Sequence, residues 1–178
     1  MSKRTRSPRH RRTGHSRGCA RLLAFRDHHN GKSGFMVLTL RLPLAALGLV
    51  AVCICLSILL YGPADTANSF EALFNALTGL NYPVTGAWPP TMDSELRFYA
   101  ALWGAYGFIV IAVARNLRAM LHYVPLLAAT FFVGGAGRAL SYFQVGPPHP
   151  FFVFLMVIEL VLPIIFLMLW FRVRSQVA

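Results

Sequence analysis

Apolar residues fall into four long runs, approximately 42–61, 96–114, 119–143 and 151–171, separated by polar segments. About 20 residues of helix cover the roughly 30 Å hydrocarbon core of a bilayer. Each run therefore predicts a transmembrane helix, and the third is long enough to tilt or to extend into the interface. The expected fold class is an all-α membrane protein, a four-transmembrane-helix bundle within residues 36–178.

The first long connection has a periodicity of its own. From Asp65 to Leu80, the residues Phe70, Leu73, Phe74, Leu77 and Leu80 recur at helical spacing, while Asp65, Asn68, Glu71 and Asn75 fall on other faces. That pattern predicts a short amphipathic helix lying along the interface and stopping at Gly79, as a plain spacer or as a lid over the bundle. Beyond it, Pro83, Gly86, Trp88, Pro89 and Pro90 predict an irregular connection whose aromatic residues suit the headgroup level.

Charge gives the topology. The net +11 is uneven: residues 1–35 hold ten Lys/Arg against Asp27, whereas the rest of the chain holds seven against five acids. Beyond the basic N-terminal side of the first run, Arg115 and Arg118 lie between the second and third runs, and Arg172 and Arg174 follow the fourth. The other two connections contain no Lys or Arg. The positive-inside rule then places both termini in the cytoplasm, with 62–94 and 144–150 outside. The composition of residues 1–35 predicts a disordered extension. It reads as an over-called start ahead of Met36, a cytoplasmic tail, an organelle transit peptide or a tether to anionic lipid. With Phe25 the one stacking aromatic among these basic residues and Phe35 at the end of the stretch, no nucleic-acid partner is expected.

Arg138 and Glu159 are the exceptional residues, since each interrupts a run otherwise free of charge. A charge at membrane depth costs about 2.5–3.5 kcal/mol even on the lenient insertion scale, so a partner is required. In the expected topology Arg138 lies roughly 7–8 Å and Glu159 roughly 12 Å below the outer end of its helix. The short connection 144–150 makes the third and fourth helices antiparallel neighbours, so the two side chains should pair. Thr130, Gly134, Arg138 and Ser141 share one face, with Gly135 and Gly137 allowing a close backbone. On the second run Arg97, Ala101, Gly104 and Phe108 share another face, with Glu95 at its mouth. An outward pocket lined by Glu95, Arg97, Arg138, Ser141 and Glu159 is the resulting expectation. Pro163 leaves the carbonyl of residue 159 without its helical donor, which predicts a kink and a second anchor for Arg138. A buried ion pair that only sets helix register is the competing reading.

Catalytic chemistry finds little support in the residues. His149 and His122 lie at opposite ends of the predicted bundle, no three residues have zinc-site spacing, and no phosphate loop or nucleophile constellation occurs. No cofactor or metal is expected. Cys19, Cys53 and Cys55 form no disulfide framework and read as packing residues.

Several short elements, taken together, resemble a known family. They are Glu95-Leu96-Arg97-Phe98-Tyr99 leading into Trp103-Gly104-Ala105-Tyr106-Gly107, then Gly134-Gly135-Ala136-Gly137-Arg138-Ala139-Leu140-Ser141, then Gly146-Pro147-Pro148-His149-Pro150, and finally Glu159-Leu160. Over roughly 41–171 the chain resembles the bacterial membrane proteins grouped as the domain of unknown function 4345 family. The resemblance implies a four-helix membrane fold and residence in the bacterial inner membrane, and it implies no substrate. The expected role is a non-enzymatic accessory or small-ligand-binding module whose partners are the lipid bilayer and either a membrane protein or a second copy. The alternatives are an enzyme or carrier acting on a lipid or isoprenoid-like molecule, with Glu159 or Glu95 handling the proton, and a purely structural subunit.

Overall fold

The computed structural model describes the backbone of residues 16–177 and the side chains of residues 36–175. Among them the order is α1 (Ser16–Tyr61), α2 (Pro63–Thr78), α3 (Pro90–Arg115), α4 (Leu117–Met120), a 3-10 turn (Leu121–Tyr123), α5 (Val124–Val145) and α6 (Pro150–Val177), with no strand. Four segments are long and apolar enough to cross a membrane: Met36–Tyr61, Pro90–Arg115, Leu117–Val145 and Pro150–Ser175. Each is longer than its apolar run because flanking prolines and polar residues join the helix, and Pro90 and Pro150 suit a first turn whose N–H groups have no helical acceptor. The disorder expected for 1–35 lies outside the described residues over 1–15. Over 16–35 the backbone is helical and continuous with α1, since a helix already nucleated extends at the cost of propagation alone.

The spans are arranged in the order α3, α1, α6, α5, so that α1 and α6 are central. Two glycines let α1 and α3 approach closely: a Cβ on Gly48 would lie 2.7 Å from the Gly107 carbonyl oxygen, and one on Gly107 2.8 Å from that of Gly48. Cys55 occupies the space a side chain at Gly104 would need. Small residues let two apolar helices gain dispersion contacts that lipid cannot match. The face of α3 turned to α1 is therefore Ala100, Gly104 and Gly107, while Ala101 and Phe108, expected to share a face with Gly104, are exposed.

Although consecutive in sequence, α3 and α5 meet through long side chains. Trp103 stacks on Tyr106 at 5.0 Å and on Phe131 at 5.8 Å. The Tyr106 hydroxyl donates to the Leu127 carbonyl at 3.0 Å. The third span starts irregularly because Pro125 has no N–H to offer the Leu121 carbonyl. That oxygen accepts from the Trp170 indole N–H at 2.9 Å, which ties the 3-10 turn to α6.

The packed core occupies the half of the bundle nearest the chain termini. Leu40 and Leu44 of α1, Val110 and Val113 of α3, Val124 of α5 and Phe166 of α6 are buried together there. The opposite half, which carries α2 and the α5–α6 turn, has glycine contacts, an ion pair and a cavity in place of such a cluster. Large apolar residues such as Leu60, Phe108, Leu126 and Val133 are exposed on the flanks, a surface that water penalises and lipid does not.

Candidate functional site

The amphipathic helix is α2, and it stops at Gly79, whose φ of 72° is the left-handed conformation a glycine adopts without strain. Its polar residues serve a purpose that spacing alone leaves open. Asn68, Glu71 and Asn75 form one face, and that face holds the irregular segment 79–89 through its backbone. Asn68 accepts from the Gly86 N–H at 3.0 Å and donates to the Gly86 carbonyl at 3.3 Å. Asn75 donates to the Tyr82 carbonyl at 2.8 Å. Glu71, fully buried, accepts from the Thr85 N–H at 2.7 Å and from the Thr85 hydroxyl. A chain without secondary structure must satisfy its backbone groups somehow, and this segment uses side chains of α2. The polar face is thus a binding face for the chain's own loop.

The other side of α2 packs on the start of α6. Phe70 stacks on Phe151 at 5.6 Å, and Phe74 meets Phe151, Phe154 and the ring of His149. Leu73 and Leu77 are exposed. Helix and loop together lie over one end of the bundle, and between segment 79–89 and the α5–α6 turn they enclose a half-open cavity of about 720 Å³. Its wall includes Tyr82 and Thr85 from the loop, Tyr142 from α5, and His149, Val153 and Val157 around the start of α6. The volume lies within the range usual for small-molecule sites.

His149 is the polar residue at the junction. Immediately before α6, its Nδ1 accepts the Phe151 N–H at 3.2 Å, a helix-capping bond that leaves the ring hydrogen on Nε2. That Nε2 is buried and has no partner, a state it shares among the described residues with Asn75 Oδ1.

The predicted ion pair forms. Arg138 Nε donates to Glu159 Oε2 at 2.8 Å. Gly135 makes room for it, since a Cβ there would lie 2.8 Å from the Glu159 Cβ, whereas Gly134 and Gly137 face open space. The Glu159 side chain is 11 % exposed and that of Arg138 41 %. The guanidinium also lies 5.7 Å from the centre of the Phe152 ring. The expected second anchor does not form: the Nε bond is made to the carboxylate, and α6 runs through Pro163 from Pro150 to Val177.

The five residues expected in one pocket do not converge. Arg97 turns to α1, bonding Asp93 through Nε at 2.9–3.0 Å and donating from Nη1 to the Leu59 carbonyl at 2.8 Å. It thereby caps a helix end whose last carbonyls have no helical donor, and Gly62, with φ of 97°, leaves space for its other nitrogen. Glu95 and Ser141 are exposed. The spacing argument failed because α3 meets α5 through Trp103 and Tyr106 and turns Gly104 to α1, so the face that carries Arg97 does not oppose the face that carries Arg138. The cavity itself is walled one helical turn from Arg138, at Tyr142, and two residues before Glu159, at Val157.

A family model described as a domain of unknown function, DUF4345, matches residues 39–170. The chain belongs to the DUF4345 family. No curated protein and no solved structure matches it significantly. The DUF4345 region takes in the ion pair, the α2–loop cover and the cavity, and it ends at Trp170, the residue that ties α6 to the 3-10 turn. Within this DUF4345 chain the residues that spacing did not bring forward are Glu71, Thr85 and, as a cavity residue, His149. The signal for the first was the recurrence of Asn68, Glu71 and Asn75 on one face beside a loop without periodicity. For His149 there was none beyond its place in a proline-rich turn.

Proposed function

We propose that this membrane protein is a non-enzymatic accessory module that holds a small apolar ligand in the cavity between segment 79–89 and the α5–α6 turn. The observation behind it is the cavity of about 720 Å³, roofed by a loop that three side chains of α2 hold in place. The arginine distribution supports an orientation with both termini cytoplasmic, which would open this site to the outer side of a bacterial inner membrane. An enzyme or carrier that uses Glu159 or Glu95 to handle a proton on a lipid or isoprenoid-like substrate is less well supported. Glu159 is bonded to Arg138, and Glu95 is exposed.

The test is native mass spectrometry of the protein extracted from membranes, compared with a Val153→Trp variant that fills the cavity. A small apolar molecule should copurify with the wild type and be lost from the variant. The same bound molecules in both, or none in either, would remove the basis for this reading.

A further inference from the structure

The arginines at the end of the bundle nearest the chain termini differ from those in the other half. Arg97 and Arg138 each bond a carboxylate. Arg41, Arg115, Arg118, Arg172 and Arg174 are exposed, and none has an ion-pair partner among the described residues. The described acids all lie elsewhere: Asp65 and Glu71 on α2, Asp93 and Glu95 in the first two turns of α3, and Glu159 on the part of α6 nearer its start.

The packed core holds these arginines at one level. Leu40, Leu117 and Val173, buried together in it, are the sequence neighbours of Arg41, Arg118, Arg172 and Arg174. At one corner the arrangement is closer still. The Trp170 indole N–H is bonded to the carbonyl of Leu121, three residues after Arg118, and the Arg174 guanidinium lies 5.2 Å from the centre of the Trp170 ring. Arg118 and Arg174 therefore flank a tryptophan of the kind that settles at the headgroup level of a bilayer.

Packed helices have axes about 8–10 Å apart, comparable with the screening length of about 8 Å at physiological salt. Cations on adjoining helices at one level thus repel one another unless an anion comes between them. The anion that a bilayer offers at this depth is the lipid phosphate. Membrane orientation needs only positive charge, which Lys supplies as well, yet residues 36–178 contain no Lys. A guanidinium presents parallel N–H donors that match two phosphate oxygens. A zwitterionic head would bring a cation of its own among the arginines, and an anionic head would not.

We propose that this corner is a binding site for the phosphodiester head of an anionic phospholipid, held between Arg118 and Arg174 beside Trp170. The lipid belongs to the leaflet at that end of the bundle, so the site is separate from the cavity and independent of what the cavity holds.

The test offers the full chain equal amounts of dioleoyl phosphatidylglycerol and dioleoyl phosphatidylcholine in mixed micelles and counts the retained lipids by native mass spectrometry. Phosphatidylglycerol should be retained in preference, and the preference should weaken as salt is raised. Arg118→Gln and Arg174→Gln should each reduce it about fivefold, the share of one basic residue near a lipid surface. Arg172→Gln removes the same charge from the same helix, but two residues from Trp170 and hence from the opposite face, and should change the preference little.

Equal losses from Arg172→Gln and Arg174→Gln would replace the site with diffuse attraction by the whole end. All these variants keep the ten Lys/Arg of residues 1–35, so a preference that none of them alters would belong to that stretch and overturn the site. Displacement of the lipid by glycerol 3-phosphate or by a polyglutamate peptide would assign the corner to a soluble anion instead. Equal retention of the two lipids by the unaltered chain overturns the proposal however the variants fold.

Discussion

Arg138 donates to Glu159 at the point where Gly135 lets α5 close on α6, so the charge pair and the tightest part of that helix contact are one feature. The carboxylate is the buried partner and the guanidinium the half-exposed one. Removing Arg138 therefore strands a buried acid, and removing Glu159 strands a cation at membrane depth. Arg138→Ala and Glu159→Ala should each destabilise by about 3 kcal/mol. The double variant should be milder than their sum, as a thermal-denaturation cycle in detergent would show. Strict additivity would mean that the pair contributes nothing as a pair.

Neighbouring glycines on α5 should respond in opposite directions. Gly135→Ala places a methyl group 2.8 Å from the Glu159 Cβ and should cost about 1–3 kcal/mol through forced separation of the helices. At Gly137 a Cβ meets nothing within 4 Å, so Gly137→Ala should be neutral or stabilising by about 0.5–1 kcal/mol, the gain of alanine over glycine in a helix. Melting curves of the two single variants decide this. Equal effects would count against a close α5–α6 approach.

Glu71 should control the order of the loop over the cavity. Glu71→Ala leaves the Thr85 N–H without its acceptor and should cost about 1–3 kcal/mol. Amide exchange at 82–87 should rise with it, while exchange in the packed half near Val110 and Phe166 stays slow. Glu71→Gln retains an acceptor oxygen for that N–H and should be milder. Exchange that rises uniformly over the chain would mean that Glu71 supports the whole fold and not the loop.

The topology has a direct test in single cysteines placed in a background where Cys19, Cys53 and Cys55 are replaced. Pro148→Cys should react with a membrane-impermeant maleimide in intact cells, and Asn116→Cys only after permeabilisation. The reverse pattern would invert the orientation and turn the cavity toward the cytoplasm.

Hydrophobic periodicity by itself determined the number of spans, the helical nature of the first connection and its stop at Gly79, because a bilayer rewards apolar length and a helix end rewards a residue free to adopt positive φ. The Arg138–Glu159 contact was legible as well, since a charge in an apolar run needs a partner and a short turn left one close at hand. Which faces meet across the bundle was decided only by the tertiary structure. The order α3, α1, α6, α5 follows from glycine contacts such as Gly48 with Gly107, and helix periodicity states which residues share a face but not what that face opposes. Arg97 consequently belongs to the end of α1 and not to a pocket with Arg138. The use of Glu71 was hidden for the same reason: a carboxylate on the polar side of a helix reads as solvated until an irregular segment, obliged to pair its own N–H groups, is folded against it.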